Sequence, residues 1–212
     1  MSQIIFRLAN TADYKALAQL HYRCSRKQRG GFMYQLGPLF FKEYYRVVLN
    51  EKWTVVVCAV REDGTILGFH SGTLKAEEYS RALKRSRIRL GVASLPAAVA
   101  HPSLLKQGLA RLRSLSATKD SEQFVVAEGP RGEYWAWTPD VPGGANAIKC
   151  HFRWHEVMRS LGARYVRAEV DCDNPQILQT ALRRGATIVR KFKTPDGRER
   201  WEIEYRFDRA NA

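Results

Sequence analysis

Cysteine is scarce in this 212-residue chain, which has only Cys24, Cys58, Cys150 and Cys172. No two of them form a Cys-x-x-Cys pair, so the sequence does not predict a zinc site. The first residues also lack a basic segment followed by a long apolar run, and we therefore expect no signal peptide. These absences favour free thiols in a reducing compartment and a cytoplasmic protein.

Long hydrophobic runs are also missing. The longest apolar stretch lies near residues 91–105 and is interrupted by Pro96, His101 and Pro102. It is too short and too broken to cross a bilayer. Because 45% of the residues are hydrophobic and 26% are charged, the composition predicts one globular domain over residues 1–212 rather than a disordered chain.

Acidic residues are outnumbered, with 21 Asp and Glu against 35 Lys and Arg, for a net charge of +14. A basic surface attracts polyanions such as nucleic acid, anionic lipid headgroups or phosphate-bearing substrates. Net charge carries no information about the fold.

The first half of the chain reads as β-α-α-β-β. Residues 3–8 alternate like a strand, and helical spacing follows from Asn10 to about Arg26 and again from Pro38. An apolar strand over 53–60, the turn Glu62-Asp63-Gly64 and a partner strand over 66–74 predict a hairpin.

The following segment, residues 75–121, differs in composition. Between Lys75 and Lys119 it has ten Lys or Arg and two acidic residues. We predict two basic amphipathic helices broken at Pro96 and Pro102, forming an insertion between the third and fourth strands. Tyr79 is the only Phe, Tyr or Trp between Lys75 and Lys119. Base stacking on nucleic acid is therefore less expected than attraction to the inner face of an anionic membrane or to a phosphorylated glycan.

The second half reads as strands at 124–127 and 133–137, a Pro/Gly-rich loop, a helix to about Ser160, a strand, Asp173-Asn174-Pro175, a short helix ending at Gly185, and a hairpin. This order resembles the GNAT N-acyltransferase superfamily over nearly the whole chain, most closely in the stretch 161–175, Leu-Gly-Ala-Arg-Tyr-Val-Arg-Ala-Glu-Val-Asp-Cys-Asp-Asn-Pro. The resemblance implies an α/β fold with a mixed sheet of about seven strands and flanking helices. A weaker similarity, through the basic insertion, is to GNAT acyltransferases associated with cell-surface glycans.

The resemblance also implies acetyl-CoA or another acyl-CoA as co-substrate. In that fold the pantetheine lies between strands four and five, and the pyrophosphate binds backbone N–H groups at a helix start, where anions are favoured. The matching loop here is Pro142-Gly143-Gly144-Ala145-Asn146-Ala147. The residues implied for acyl-CoA binding are Trp137, Thr138, Gly143, Gly144, Ala145, Asn146, Ala147 and Asn174.

Two departures from the family pattern leave an alternative open. Pro142 replaces the usual Gln or Arg and has no N–H to donate. Ala181 stands where many members of the family have a Tyr that protonates the departing thiolate. The chain is therefore either an N-acyltransferase acting on an amine, such as an amino sugar of a nucleotide- or lipid-linked glycan, or an inactive GNAT-fold protein that binds a partner or nucleic acid through its basic surface.

Candidate general bases are carboxylates or imidazoles near strand four, since one water can relay the proton. Glu133 is the first choice, Glu128 the second and His70 the third. His151 and His155 lie one helical turn apart, but with no third ligand evident the sequence favours a helix-surface pair over a metal site. Trp135 and Trp137 alternate on one strand face, either within the sheet core or along the acceptor pocket.

Overall fold

The computed structural model describes residues 3–26, 32–100, 127–194 and 197–207. In these residues the strands are β1 Ile4–Leu8, β2 Thr54–Arg61, β3 Ile66–Thr73, β4 Arg131–Trp137, β5 Tyr165–Asp171, β6 Thr187–Lys193 and β7 Glu199–Arg206. The helices are α1 Tyr14–Ser25, α2 Phe32–Gln35, α3 Gly37–Asn50, α4 Ala76–Arg85, α5 Arg87–Ala100, α6 Gly144–Ser160 and α7 Pro175–Arg183, with a 3-10 turn at Thr11–Asp13.

The strands form one sheet in the order β1-β2-β3-β4-β5-β7-β6. All neighbouring pairs are antiparallel except β4 and β5, which are parallel. The expected mixed seven-stranded sheet with flanking helices is confirmed.

Helices cover both faces of the sheet. On one face α1 and α3 pack over β2 and β3 around Leu17, Phe41, Tyr45 and Phe69, which are fully buried. On the other face α6 packs through Trp154 and Met158, also fully buried. The Trp154 indole Nε1 donates to the Val55 carbonyl oxygen at 3.0 Å, which joins α6 to β2. Helix α6 is thereby held firmly against the sheet.

The basic insertion begins as two helices, as expected, but the predicted break at Pro96 is wrong. The break falls at Ser86, between α4 and α5, and Pro96 lies inside α5. A proline removes the bond to the carbonyl four residues earlier, here that of Val92. Because Val92 is 60% exposed, water can satisfy that carbonyl. The expected break at Pro102 and most of the expected strand at 124–127 lie outside the described residues.

Candidate functional site

The parallel pair β4 and β5 separates almost as soon as it forms. Its one paired position is Arg131 with Arg167, whereas β3–β4 and β5–β7 pair along most of their lengths. Beyond this point the strands enclose a cleft of about 780 Å³. The edge of β4 that faces β5 therefore presents backbone N–H and C=O groups to the cleft instead of to a neighbouring strand.

A β-bulge in β4 determines which side chains face each side of this cleft. Ser71 pairs with Tyr134 and Gly72 pairs with Gly132, so Glu133 is the extra residue of the bulge. A bulge changes the alternation of side chains along a strand. Tyr134 contacts His21 on the α1 side of the sheet. Trp135 lies on the α6 side, where its indole Nε1 donates to the Ala147 carbonyl oxygen at 3.2 Å.

Glu133 lies on the α1 side in a buried ion pair. Its side chain is 14% exposed, and Arg131 Nε donates to Glu133 Oε1 at 2.6 Å. Burial raises the pKa of the Glu133 carboxyl, and the charge and hydrogen bond of Arg131 oppose that rise. A carboxylate with a raised pKa is a stronger proton acceptor than one in water, which suits a general base.

Aromatic and charged groups surround Glu133. The Arg131 guanidinium lies 5.7 Å from the ring centre of Tyr79, whose hydroxyl is hydrogen-bonded to that of Tyr44. Farther along the cleft, Arg200 bonds both Glu169 and Asp171, at 2.7 and 2.6 Å. Charged side chains of both signs, from β4, β5 and β7, thus line the cleft.

Three histidines lie together on the α6 side and line the cleft. The ring centres of His70 and His151 are 4.7 Å apart, and those of His151 and His155 are 4.3 Å apart. The prediction of a helix-surface pair is wrong, since His155 is 8% exposed and both rings pack inward from α6. The His70 and His151 rings are stacked nearly parallel, and the described residues contain no group of three or more side chains suited to hold a metal ion.

The Nδ1 atoms of His70 and His151 are buried and have no hydrogen-bond partner among the described residues. Unpaired buried polar atoms are costly and call for a partner. Both side chains line the cleft, so these unpaired atoms lie in its α6 side.

The loop between β4 and α6 ends in an open helix terminus. Among the described residues no side chain caps α6, and the Asn146 and Ala147 N–H groups donate to the Gly143 carbonyl. The first N–H groups of a helix have no partner within it, so those of Gly144 and Ala145 are available to an anion. Gly144 has φ +41°, a backbone conformation that suits glycine.

Gly143 has a packing role that the sequence did not reveal. A Cβ atom on Gly143 would lie 2.7 Å from Cδ1 of Trp137. Trp137 is itself fixed, because its indole Nε1 donates to the Val141 carbonyl at 2.9 Å. Since residue 143 has no side chain, the loop between β4 and α6 can lie close to Trp137 at the end of β4.

The remaining predicted ligand-binding residues differ in their surroundings. Asn174 lines the cleft and caps α7, accepting a hydrogen bond from the Ile177 N–H at 3.3 Å. Thr138 is buried and its N–H donates to the Leu67 carbonyl, so that amide is not available to a ligand. Ala181 lines the cleft from α7 and packs with Tyr205.

Two of the three candidate bases lie at the cleft. Glu133 and His70 line it from opposite faces of the sheet, whereas Glu128 is exposed in the segment before β4 and does not line it. Sequence reasoning missed Arg131, Tyr134 and Tyr205. The spacing of Arg131 and Glu133 was a usable signal for the ion pair, but Tyr205 comes from β7 and enters the cleft only through tertiary packing.

Comparisons with solved structures agree with the fold described above. No protein-family model matches the sequence, and no curated protein matches it significantly. Among solved structures, an N-acetyltransferase from Staphylococcus aureus Mu50 is similar with a TM-score of 0.60 and 10% identity, covering 97% of this chain and 99% of its own. YncA from Salmonella typhimurium, solved with its cofactor acetyl-CoA, has a TM-score of 0.58 and 12% identity, covering 100% of this chain and 98% of its own.

A third structure, the PaiA N-acetyltransferase of Thermoplasma acidophilum in complex with coenzyme A, has a TM-score of 0.54 and 11% identity, covering 97% of this chain and 99% of its own. Identities this low establish the fold. The chain has the fold of the GNAT acetyltransferases.

Proposed function

We propose that this protein is an N-acyltransferase that moves an acyl group from acyl-CoA to an amine. The observation that carries the proposal is the cleft between β4 and β5 with the uncapped start of α6 close to its open end. Similar structures were solved with acetyl-CoA and with coenzyme A. The free N–H groups of Gly144 and Ala145 suit a pyrophosphate, and the unpaired β4 edge suits the amides of pantetheine.

The proposed reaction is direct transfer. The Glu133 carboxylate accepts a proton from the acceptor ammonium, directly or through one water. The free amine attacks the thioester carbonyl and a C–N bond forms, after which the nitrogen loses its second proton to water. The C–S bond then breaks, and coenzyme A leaves as a thiolate that takes up a proton. Ala181 cannot supply that proton, whereas Tyr205, which packs with Ala181 and lines the same cleft, has a phenol hydroxyl that can. Burial raises the pKa of Tyr205 to about 12, so the phenol keeps its proton at neutral pH.

For the acceptor we propose an amino sugar of a nucleotide- or lipid-linked glycan. Its phosphates would be attracted by the net charge of +14. The ion pairs of Arg131 with Glu133 and of Arg200 with Asp171 line the cleft and provide both donors and acceptors for sugar hydroxyls.

The competing candidate is a GNAT-fold protein without turnover, which binds a partner or nucleic acid through its basic surface. Ala181 and Pro142 are the observations that favour it. The two candidates differ in one result: the enzyme releases free coenzyme A from acetyl-CoA only when an amine acceptor is present, and the binding protein does not.

Ala145→Glu is expected to weaken acetyl-CoA binding at least tenfold while leaving the fold intact. Ala145 is exposed at the start of α6, and a carboxylate there would repel the pyrophosphate. A negative charge at a helix N-terminus is otherwise stabilising by roughly 0.3–1 kcal/mol. Isothermal titration calorimetry would give the affinity, and thermal unfolding without ligand would give the stability.

Ala145→Gln is the matched control, since it has nearly the same size and no charge. We expect Ala145→Gln to keep most of the affinity. Equal affinities for Ala145→Glu and Ala145→Gln would show that the start of α6 does not hold the pyrophosphate.

A further inference from the structure

Helix α5 is apolar on two faces, and among the described residues only one of these faces packs against the rest of the protein. Leu90 packs against the core cluster beneath α1 and α3. On the outer side, Ile88 is 77%, Val92 60%, Leu95 54% and Val99 80% exposed. We call these four residues the α5 stripe.

The α5 stripe is continuous. At 3.6 residues per turn its four positions fall within an arc of about 60° and extend for about 16 Å along the helix. Single exposed apolar residues are common on soluble proteins, whereas a contiguous apolar patch marks an interaction surface.

Basic residues border the α5 stripe at its N-terminal end. Arg87 and Arg89 flank Ile88 in the sequence and project to either side of the stripe, and α5 contains no acidic residue. Arg89 is paired with Glu43, while Arg87 is exposed and has no ion pair among the described residues. An apolar stripe between arginines is the pattern of a helix that lies in a membrane interface, with the guanidinium groups reaching the headgroups.

We propose that the α5 stripe docks on the surface of a bilayer that contains anionic lipid, with α5 lying in the plane of the interface. The charge of the surrounding surface favours this occupant over a second copy of the chain, because two such basic faces would repel one another. No helix in the described residues is long and apolar enough to cross a membrane. The proposal concerns a surface outside the cleft and does not depend on acyl transfer.

The test compares the wild type with the triple variant Ile88→Gln, Val92→Gln and Val99→Gln. Glutamine keeps helix propensity, and all three positions are exposed, so the fold should persist. We expect the wild type to sediment with vesicles of phosphatidylcholine mixed with phosphatidylglycerol, more weakly at high salt, and poorly with phosphatidylcholine alone. The triple variant should lose at least tenfold in its partition coefficient.

Two further variants separate the apolar contribution from the charge contribution. Arg87→Gln should lower the partition coefficient about fivefold at low salt, since one basic residue near an anionic surface has an effect of that size. The double variant Ile188→Gln and Val189→Gln removes exposed apolar residues from β6, at the other edge of the sheet, and should bind vesicles like the wild type.

Several results would overturn the proposal. One is equal vesicle binding by the wild type and the triple variant, or no binding by either. Another is a dimer in the wild type, seen by light scattering, that the triple variant loses, because the stripe would then join two copies. A clear fall in the melting temperature of the triple variant would also overturn it, since the stripe would then be covered within the chain.

Discussion

Between pH 7 and pH 5.5 the protein should lose several kcal/mol of its free energy of unfolding. Four of its histidines are held neutral inside the fold. Burial lowers the pKa of His21 to about 3 and of His151 to about 4. Burial, together with the charge of His151, lowers the pKa of His155 to about 2. Burial also lowers the pKa of His70 well below its usual value.

The sign of the effect follows from linkage. In the unfolded chain these imidazoles bind protons as the pH falls through about 6.5, while in the folded protein they stay neutral. The unfolded state therefore takes up more protons and gains stability, at about 1.4 kcal/mol per pH unit for each histidine once the pH is below that value. The contribution of the neutral, buried histidines to the stability of the folded protein is fully present above pH 6.5, and it is lost as the pH falls towards their folded-state pKa values.

Urea unfolding followed at several pH values between 7.5 and 5 measures this directly. The variant His155→Phe removes one of the four histidines and keeps an aromatic ring against Tyr205. It should reduce by about one the number of protons taken up on unfolding, and the slope of the free energy of unfolding against pH should fall accordingly. Asp13, which is paired with Arg7, has a lowered pKa. It affects the free energy of unfolding only at lower pH, and therefore does not change the result between pH 7 and pH 5.5. A free energy of unfolding that does not change between pH 7 and pH 5.5 would mean that the histidines are not buried as described.

Glu133→Gln should lower turnover by on the order of a hundredfold, with little change in acetyl-CoA affinity. The reason is that Gln cannot accept the proton of the acceptor amine, and a positioned base contributes about this much to a rate. The measurement is coenzyme A release from acetyl-CoA with a panel of amines and amino sugars, combined with calorimetry of acetyl-CoA binding.

The loss of an ion pair must be separated from the loss of a base. Glu133→Gln leaves the Arg131 guanidinium without its carboxylate, which is destabilising in a buried site. Glu169→Gln is the matched control, because it removes the carboxylate partner of Arg200 from the same cleft. We expect Glu169→Gln to keep turnover within a few-fold of the wild type. Full activity in Glu133→Gln, or an equal loss in Glu169→Gln, would remove Glu133 from the role of base.

The fold was predictable because its signals are local. Asn174-Pro175 predicted a capped helix start, and Asn174 does cap α7. The nearly continuous apolar run that became β2, the partner run that became β3 and the turn at Glu62-Asp63-Gly64 predicted the hairpin that the structure contains. Each of these signals depends on a few neighbouring residues and needs no knowledge of distant contacts.

The arrangement of the site was predictable only in part. Glu133 was expected to lie near strand four, but its side of the sheet depends on the bulge opposite Ser71 and Gly72, and a bulge is set by pairing with another strand. The four-residue spacing of His151 and His155 places both on one side of a helix. Whether that side faces solvent or the sheet depends on how α6 packs, which the spacing does not reveal. The prediction that His151 and His155 lie on the helix surface was therefore wrong.

The central claim is that acyl-CoA binds between β4 and β5, and amide hydrogen exchange with and without acetyl-CoA tests it most directly. The N–H groups of residues 132–137 that face the cleft, and those of Gly144 and Ala145 at the start of α6, should become protected when acetyl-CoA is added, because they then gain acceptors. The Ala145→Glu variant should lose this protection at the same ligand concentration. Saturating acetyl-CoA that protects neither segment, or protects only a different part of the chain, would contradict the account.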